Sequence, residues 1–288
     1  MEVILPPVAL RVPVLFWLLV FCSCEPGPTL PEITIPRSLD AEIRSLVDDH
    51  LERVREDPSN AEQLGQLGLV FEANSLWQQA RPCFDAAASL ATREPVWAYH
   101  AARATQKLGD FDGATVAMHA VVKSFPGFAP AQHHLGELLL GSGNIDGADA
   151  AFRRAVSLHR KSPVGHVGLG RVALERRDYA AAIIALEHAL SLQPGHKMAA
   201  FLVGRAYRRL GRTEDADRAQ ARGEDAEESY IPDRTSRDLA RYSRGYSTRL
   251  DHAVGLIRAG KTADAIVVLE QMYQERPRDL MVMNNLAV

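Results

Sequence analysis

Five alanines, Ala80, Ala114, Ala148, Ala182 and Ala216, stand thirty-four residues apart. A fixed period of this length marks a repeated supersecondary unit, one that cannot bury its apolar face alone and must stack on a neighbour. Other columns keep the same step. Gly68, Gly136, Gly170 and Gly204 lie twelve residues before their alanines, and Ala102 fills that column in the second unit. Phe84, Met118, Phe152 and Leu186 follow their alanines by four residues, with Gln220 breaking the series. Ala87, Val121, Ala155 and Ala189 follow by seven, and Pro126 and Pro194 close two of the units.

Steps of four and seven place side chains on one face of a helix, so the alanine and large apolar columns share a second helix in each unit. The glycine column belongs to a first helix, where a missing side chain admits close approach, and the alanine column supplies the facing small residue. Polar turns such as Leu108-Gly109-Asp110 and Gly141-Ser142-Gly143-Asn144 separate the two helices. Proline after the second helix stops it before the next unit. Aromatic residues make up only 7% of the 288-residue chain, whereas alanine is abundant, which suits closely packed helices better than sheets.

Several columns held in register strongly resemble the tetratricopeptide repeat. The resemblance spans 61–230 almost continuously, although the tryptophan common near the start of such units is replaced by Leu64, Ala98, Gln132, His166 and Ala200. It implies an all-α fold, a right-handed superhelical solenoid of antiparallel helix pairs. Five units are expected over 61–221, preceded by a capping helix over 38–58, where Ile43, Leu46, Val47, Leu51 and Val54 are spaced for one apolar face. Ala265, Leu269 and Pro277 match the columns of a sixth unit over 246–279, but Ala265 follows Ala216 by forty-nine residues. The extra length falls in a charged, irregular insertion over 222–245. Its acidic start and Ile231-Pro232 are expected to form a solvated spacer, with partner contact as the second reading. Residues 280–288 open a seventh unit. Leu286-Ala287 falls in its leucine-glycine column, so the sequence is expected to be truncated there. An accessory segment of a longer enzyme or sensor is the alternative reading this raises.

The apolar run 12–24, preceded by Arg11, has the length of a signal-peptide core and is short for a membrane-spanning helix. Phe21-Cys22-Ser23-Cys24 resembles a bacterial lipobox, with Ser23 in the position before a lipidated Cys24. Phe21 replaces the usual leucine, and Cys22 is unusual between them. An uncleaved anchor and ordinary signal cleavage both stay open. Prolines in 25–37 disfavour a helix and favour an extended tether. Cys83 then stands alone in the repeats and is expected to be a small buried hydrophobe.

A net charge of −3 with 24% charged residues gives no bulk argument for nucleic acid, and sparse aromatics argue against a base-stacking surface. The sequence contains no glycine-rich phosphate loop, no Gly-x-Ser-x-Gly, no His-Glu-x-x-His and no Cys-x-x-Cys-His. No enzyme activity and no cofactor are therefore expected. His133 and His134 are adjacent and point ~100° apart on a helix, a poor chelating pair. His100 and His134 occupy equivalent columns of neighbouring units and could approach each other, so a metal pair is weighed, far below polar surface or groove residues.

The family resemblance instead implies a partner-binding concave groove lined by the first helices. Carrying its columns over gives Tyr99, Arg103 and Lys107, then His133 and Glu137, then Arg171, then Phe201, Arg205, Arg208 and Arg209. The lysines and asparagines of the carboxylate clamp found in chaperone-binding relatives are absent from these columns. Guanidinium groups pair carboxylates bidentately, so an acidic segment or C-terminal carboxylate is the expected ligand. The whole then reads as a protein–protein scaffold, anchored through its N-terminal segment as an outward-facing lipoprotein of the bacterial cell envelope.

Overall fold

The computed structural model describes residues 33–37, 39–223, 231–243, 246–258, 261–275 and 277–287. The apolar run, Cys24, most of the proline-rich stretch and part of the insertion lie outside the described residues. Within the described residues every regular element is helical. Helix α1 (Ala41–Glu56) leads into five antiparallel pairs. These are α2 (Ala61–Ala73) with α3 (Trp77–Leu90), α4 (Pro95–Lys107) with α5 (Phe111–Ser124), and α6 (Ala129–Gly141) with α7 (Ile145–Leu158). Then come α8 (Pro163–Glu175) with α9 (Tyr179–Leu192) and α10 (Lys197–Arg209) with α11 (Thr213–Arg222). Short α12 (Ser236–Tyr242) precedes a sixth pair, α13 (Tyr246–Arg258) with α14 (Thr262–Glu275), and α15 (Leu280–Leu286). From α1 to α11 each helix packs on the next, giving an all-α superhelical repeat array.

The turn inside each unit is set by two adjacent columns. Asp110, Asn144 and Asp178 each accept a hydrogen bond from the backbone N–H three residues on, capping α5, α7 and α9. Arg212 takes that column before α11 and makes no side-chain cap. Just before the caps, Ser75, Gly109, Gly143, Arg177 and Gly211 all have positive φ, between 59° and 92°. Each closes a first helix in the left-handed region, where glycine meets no Cβ penalty and other residues do.

The periodic columns form the core. Ala80, Ala114, Ala148, Ala182 and Ala216 are fully buried, as are Phe84, Met118, Phe152 and Leu186. The glycine column does not face the alanines, as the spacing suggested, but the large side chains four residues beyond them. A Cβ on Gly68 would lie 2.6 Å from the Phe84 ring, one on Gly136 2.6 Å from Phe152, and one on Gly170 2.5 Å from Leu186. Where Gln220 breaks the large column, the nearest atom to Gly204 is instead the carbonyl oxygen of Ala216, 3.2 Å away. Cys83 is buried, and its thiol donates to the Gln79 carbonyl (3.3 Å).

Helix α1 buries Ile43, Val47 and Val54, with Leu46 and Leu51 partly covered, in the same core as α2 to α4. The second departure from expectation concerns the insertion. Residues 231–243 are not a solvated spacer: Ile231, Thr235 and Tyr242 are buried, and α12 packs on α2. The chain thereby returns to the beginning of the array. The sixth pair has a small core of its own, Ala253, Leu269, Met272 and Val282. It lies beside α1, where Arg249 pairs with Glu42 (3.5 Å) and Asp40 (3.9 Å).

Candidate partner-binding groove

The first helices α4, α6 and α8 present equivalent positions to a common space. Four residues separate Tyr99, Arg103 and Lys107 on α4, so all three share one stripe, and the thirty-four-residue step places His133, Glu137 and Arg171 alongside. Together with His134, Val164, Val167 and Met198 they wall a cavity of about 400 Å³. The groove residues expected on units two to four are thus brought together. Those on unit five are not. Phe201 is 40% exposed, Arg205 and Arg209 are exposed, and Arg208 turns towards α11, donating to Gln220 with Asp217 4.0 Å away.

Two ion pairs cross between neighbouring units along this wall. Arg103 donates to Glu72 Oε1 (2.6 Å), and Arg171 donates to Glu137. Arg103 also lies over the Tyr99 ring, 5.6 Å from its centre. Both histidines of the wall are neutral. Burial, aided by the Arg171 charge, drives His133 down to about 3, and burial with Arg103 as the next cause takes His134 to about 3. The cavity wall therefore carries three cations, of which Arg103 is paired with Glu72 and Arg171 with Glu137, and Lys107 adds a charge beyond those two pairs. Nε2 of His134 is buried without a hydrogen-bond partner. Such an atom is costly to leave dry.

Next to the cavity stands a cluster that the sequence reading left out. His100 on α4 is completely buried, with Nδ1 2.6 Å from Glu72 Oε2 and Nε2 2.8 Å from Thr235 Oγ1 and 3.3 Å from Asp233. It is engaged by Glu72 and Thr235 and does not pair with His134 as a metal site. Arg234 lies over Trp97 (4.9 Å) and pairs with Glu94 (2.8 Å) and Glu62 (3.0 Å). One signal was available in the sequence: Glu72 interrupts the apolar run Leu69-Val70-Phe71 on a face that must be buried. The contribution of Asp233 and Thr235, more than 130 residues away from His100, left no local trace.

The tetratricopeptide repeat family model matches residues 99–165 and 167–229. No curated protein sequence matches the chain. Among solved structures, the fold is similar to a chain of the APC/C hetero-tetramer Cut9–Hcn1, with a TM-score of 0.56 and 20% identity over 85% of this chain and 46% of that one. The present chain thus spans less than half of the length of that protein. It is also similar to a tetratricopeptide repeat protein from Parabacteroides merdae ATCC 43184, with a TM-score of 0.55 and 15% identity over 85% of this chain and 91% of that one. The MamA RS-1 ArsTM double mutant gives a TM-score of 0.51 at 18% identity, over 57% of this chain and 92% of that one. At these identities the likeness shows the fold.

Proposed function

The chain is a tetratricopeptide-repeat protein, a fold that serves generally as a scaffold for protein–protein interaction, and from that premise we propose that its concave groove binds an acidic partner segment. The observation that carries this reading is the cavity between α4, α6 and α8, where Lys107 adds a positive charge to the pairs Arg103–Glu72 and Arg171–Glu137 and the buried Nε2 of His134 has no hydrogen-bond partner among the described residues. A partner carboxylate there gains charge-assisted hydrogen bonds from groups already held in place, so little is lost in ordering them. Arrays of this family are generally non-catalytic, and the reading assigns the chain no chemical step.

In this proposal the array is displayed on the bacterial cell envelope, tethered through a lipid on Cys24. Its support is the apolar run 12–24 and the lipobox-like Phe21-Cys22-Ser23-Cys24. Among the described residues no helix is long and apolar enough to cross a membrane. Labelling of growing cells with a fatty-acid analogue tests the tether, and label undiminished in Cys24→Ser refutes it.

The groove is tested with a fluorescein-labelled peptide of alternating Glu and Leu ending in a free carboxylate, followed by anisotropy as salt is raised. Lys107→Glu combined with Arg171→Glu is expected to weaken binding at least ~10-fold and to flatten its salt dependence, because exposed charge contacts are screened over ~8 Å at physiological ionic strength. Arg205→Glu, outside the cavity, serves as the control. Equal weakening by both changes, or by neither, removes the cavity from the reading.

A further inference from the structure

Residues 231–243 run back over the first helices of the array. Ile231 is buried against Val164, itself a wall of the cavity, and against Ala155. Asp233 and Thr235 meet His100 on α4, and Arg234 covers Trp97. At the far end, the Tyr242 carbonyl accepts from Asn74 Nδ2 (3.0 Å), and its ring stands edge-on to His50 of α1 (5.1 Å). This one short segment therefore touches units four, three, two and one, and the capping helix.

The protons at His100 follow from its partners. The Thr235 hydroxyl donates to Asp233 Oδ1 (2.6 Å), so its oxygen accepts from Nε2–H of His100. Glu72, kept ionised beside Arg103, only accepts, so Nδ1 also carries a proton. His100 is thus an imidazolium. The buried cluster holds two cations, His100 and Arg103, and two carboxylates, Glu72 and Asp233. Its charge balances only with the segment in place, and without Asp233 a buried positive charge is left over.

We propose that residues 231–243 are a tethered occupant of the groove, with Asp233 supplying in cis the carboxylate that an acidic partner brings in trans. The inference rests on the groove being the partner-binding face. Arg103 joins the two sites, since it pairs with Glu72 of the cluster and lines the cavity. Entry of a partner carboxylate and departure of Asp233 are then linked by charge through Arg103, the cation that the cluster and the cavity share.

The test uses the full chain and its Asp233→Ala/Thr235→Ala variant, with two probes: a fluorescein-labelled peptide of residues 231–243 and the Glu/Leu peptide above. A closed state lowers apparent affinity by the fraction of open molecules, so both probes are expected to bind the variant at least ~10-fold more tightly than the parent. No gain for the 231–243 peptide overturns the tethered occupant. If that peptide gains while the Glu/Leu peptide binds neither chain, the segment remains the groove's occupant and the acidic-partner reading falls. If the Glu/Leu peptide binds both chains equally, competition is overturned while the groove reading stands. Should the variant fail to fold, amide exchange of the parent decides: protection of α12 is expected to drop on saturation with the Glu/Leu peptide, and unchanged protection overturns the proposal.

Discussion

Glu72 and His100 stand on the first helices of adjacent units with Oε2 and Nδ1 2.6 Å apart, both buried, and it is this pair that residues 231–243 close over. The ionisable groups around His100 are Glu72 from α2, Arg103 from its own helix and Asp233 from the segment, with His134 of α6 nearby. Burial opposes charge on all of these groups. For His100 the Glu72 and Asp233 carboxylates outweigh that cost and hold its pKa above the usual value. For Glu72 and Asp233 the opposite charges win likewise and hold theirs below the usual range.

The pH dependence follows with a definite sign. A raised histidine pKa contributes stability fully below the unfolded value, and loses it as pH rises through the folded value. The lowered carboxylates contribute above their unfolded values and lose that contribution as pH falls through the folded ones. Closure of the segment is therefore expected to be tightest between about pH 4.5 and 6.5, to weaken by up to about tenfold per pH unit as pH rises from there towards the folded pKa of His100, and to level off above it. Protection factors of α12 amides, corrected for intrinsic exchange, measure this from pH 5 to 9. A flat profile contradicts the charged state of His100.

Arg177 holds φ 59° in a column where Gly109, Gly143 and Gly211 adopt the same left-handed backbone. A non-glycine residue there costs ~1–2 kcal/mol, partly offset by the greater freedom glycine has in the unfolded chain. Arg177→Gly is accordingly expected to stabilise the array by ~0.5–1 kcal/mol, read from the urea midpoint at unchanged slope. Arg176, the neighbouring residue, makes the ion pairs with Asp146 and Asp149, so removal of the Arg177 side chain leaves these in place. Destabilisation would show that the arginine side chain outweighs the backbone.

Much of this architecture was legible because packing repeats. The glycine and large apolar columns meet each other in three units, at Gly68 with Phe84, Gly136 with Phe152 and Gly170 with Leu186, so one spatial contact is written several times along the chain. The groove stripe on α4, α6 and α8 was readable for the same reason. The left-handed column was harder to see, since Ser75 and Arg177 occupy it without looking like glycine. The course of residues 231–243 was not visible at all. Its charged residues read as solvent-facing until Glu62, Glu72, Glu94 and His100 are placed around them, and those partners come from units one and two. Columns likewise identify a sixth helix pair through Ala265 and Leu269, but carry nothing about whether it stacks on α11 or beside α1.

Gly136 tests the packing of the first helix. Its missing Cβ would fall 2.6 Å from the ring of fully buried Phe152, which also fills the space over Gly168, 2.4 Å from a Cβ there. The ring is pinned from two helices, so Gly136→Ala must displace it. Overpacking of this kind costs ~1–3 kcal/mol, more than the propensity gain of alanine over glycine in a helix. The second unit carries Ala102 in this column and flexible Met118 in place of phenylalanine. Adding Phe152→Met to Gly136→Ala is therefore expected to recover part of the loss, measured as coupling in a double-mutant cycle. Purely additive losses would show that the two side chains do not compete for the same space.

The two cross-unit ion pairs should differ sharply in what they contribute. Glu72 is 3% exposed and serves two cations, the buried His100 and the 19% exposed Arg103, so Glu72→Gln strands the histidine away from water. Removing one partner of a buried pair costs ~3–5 kcal/mol, because the remaining charge cannot be rehydrated. Glu137 is 21% exposed and its partner Arg171 34%. Water can replace much of that interaction, and Glu137→Gln is expected to cost ~1 kcal/mol or less. The substitutions should separate in a second way. Loss of Glu72 also disturbs the histidine that holds Thr235, so α12 amides should exchange faster at denaturant concentrations that leave α6 and α8 protected. Loss of Glu137 leaves α12 untouched while making the cavity more positive, which should tighten the Glu/Leu peptide. Equal destabilisation by the two changes would mean that burial does not distinguish the pairs, and the cluster at His100 would then have no special hold on the segment.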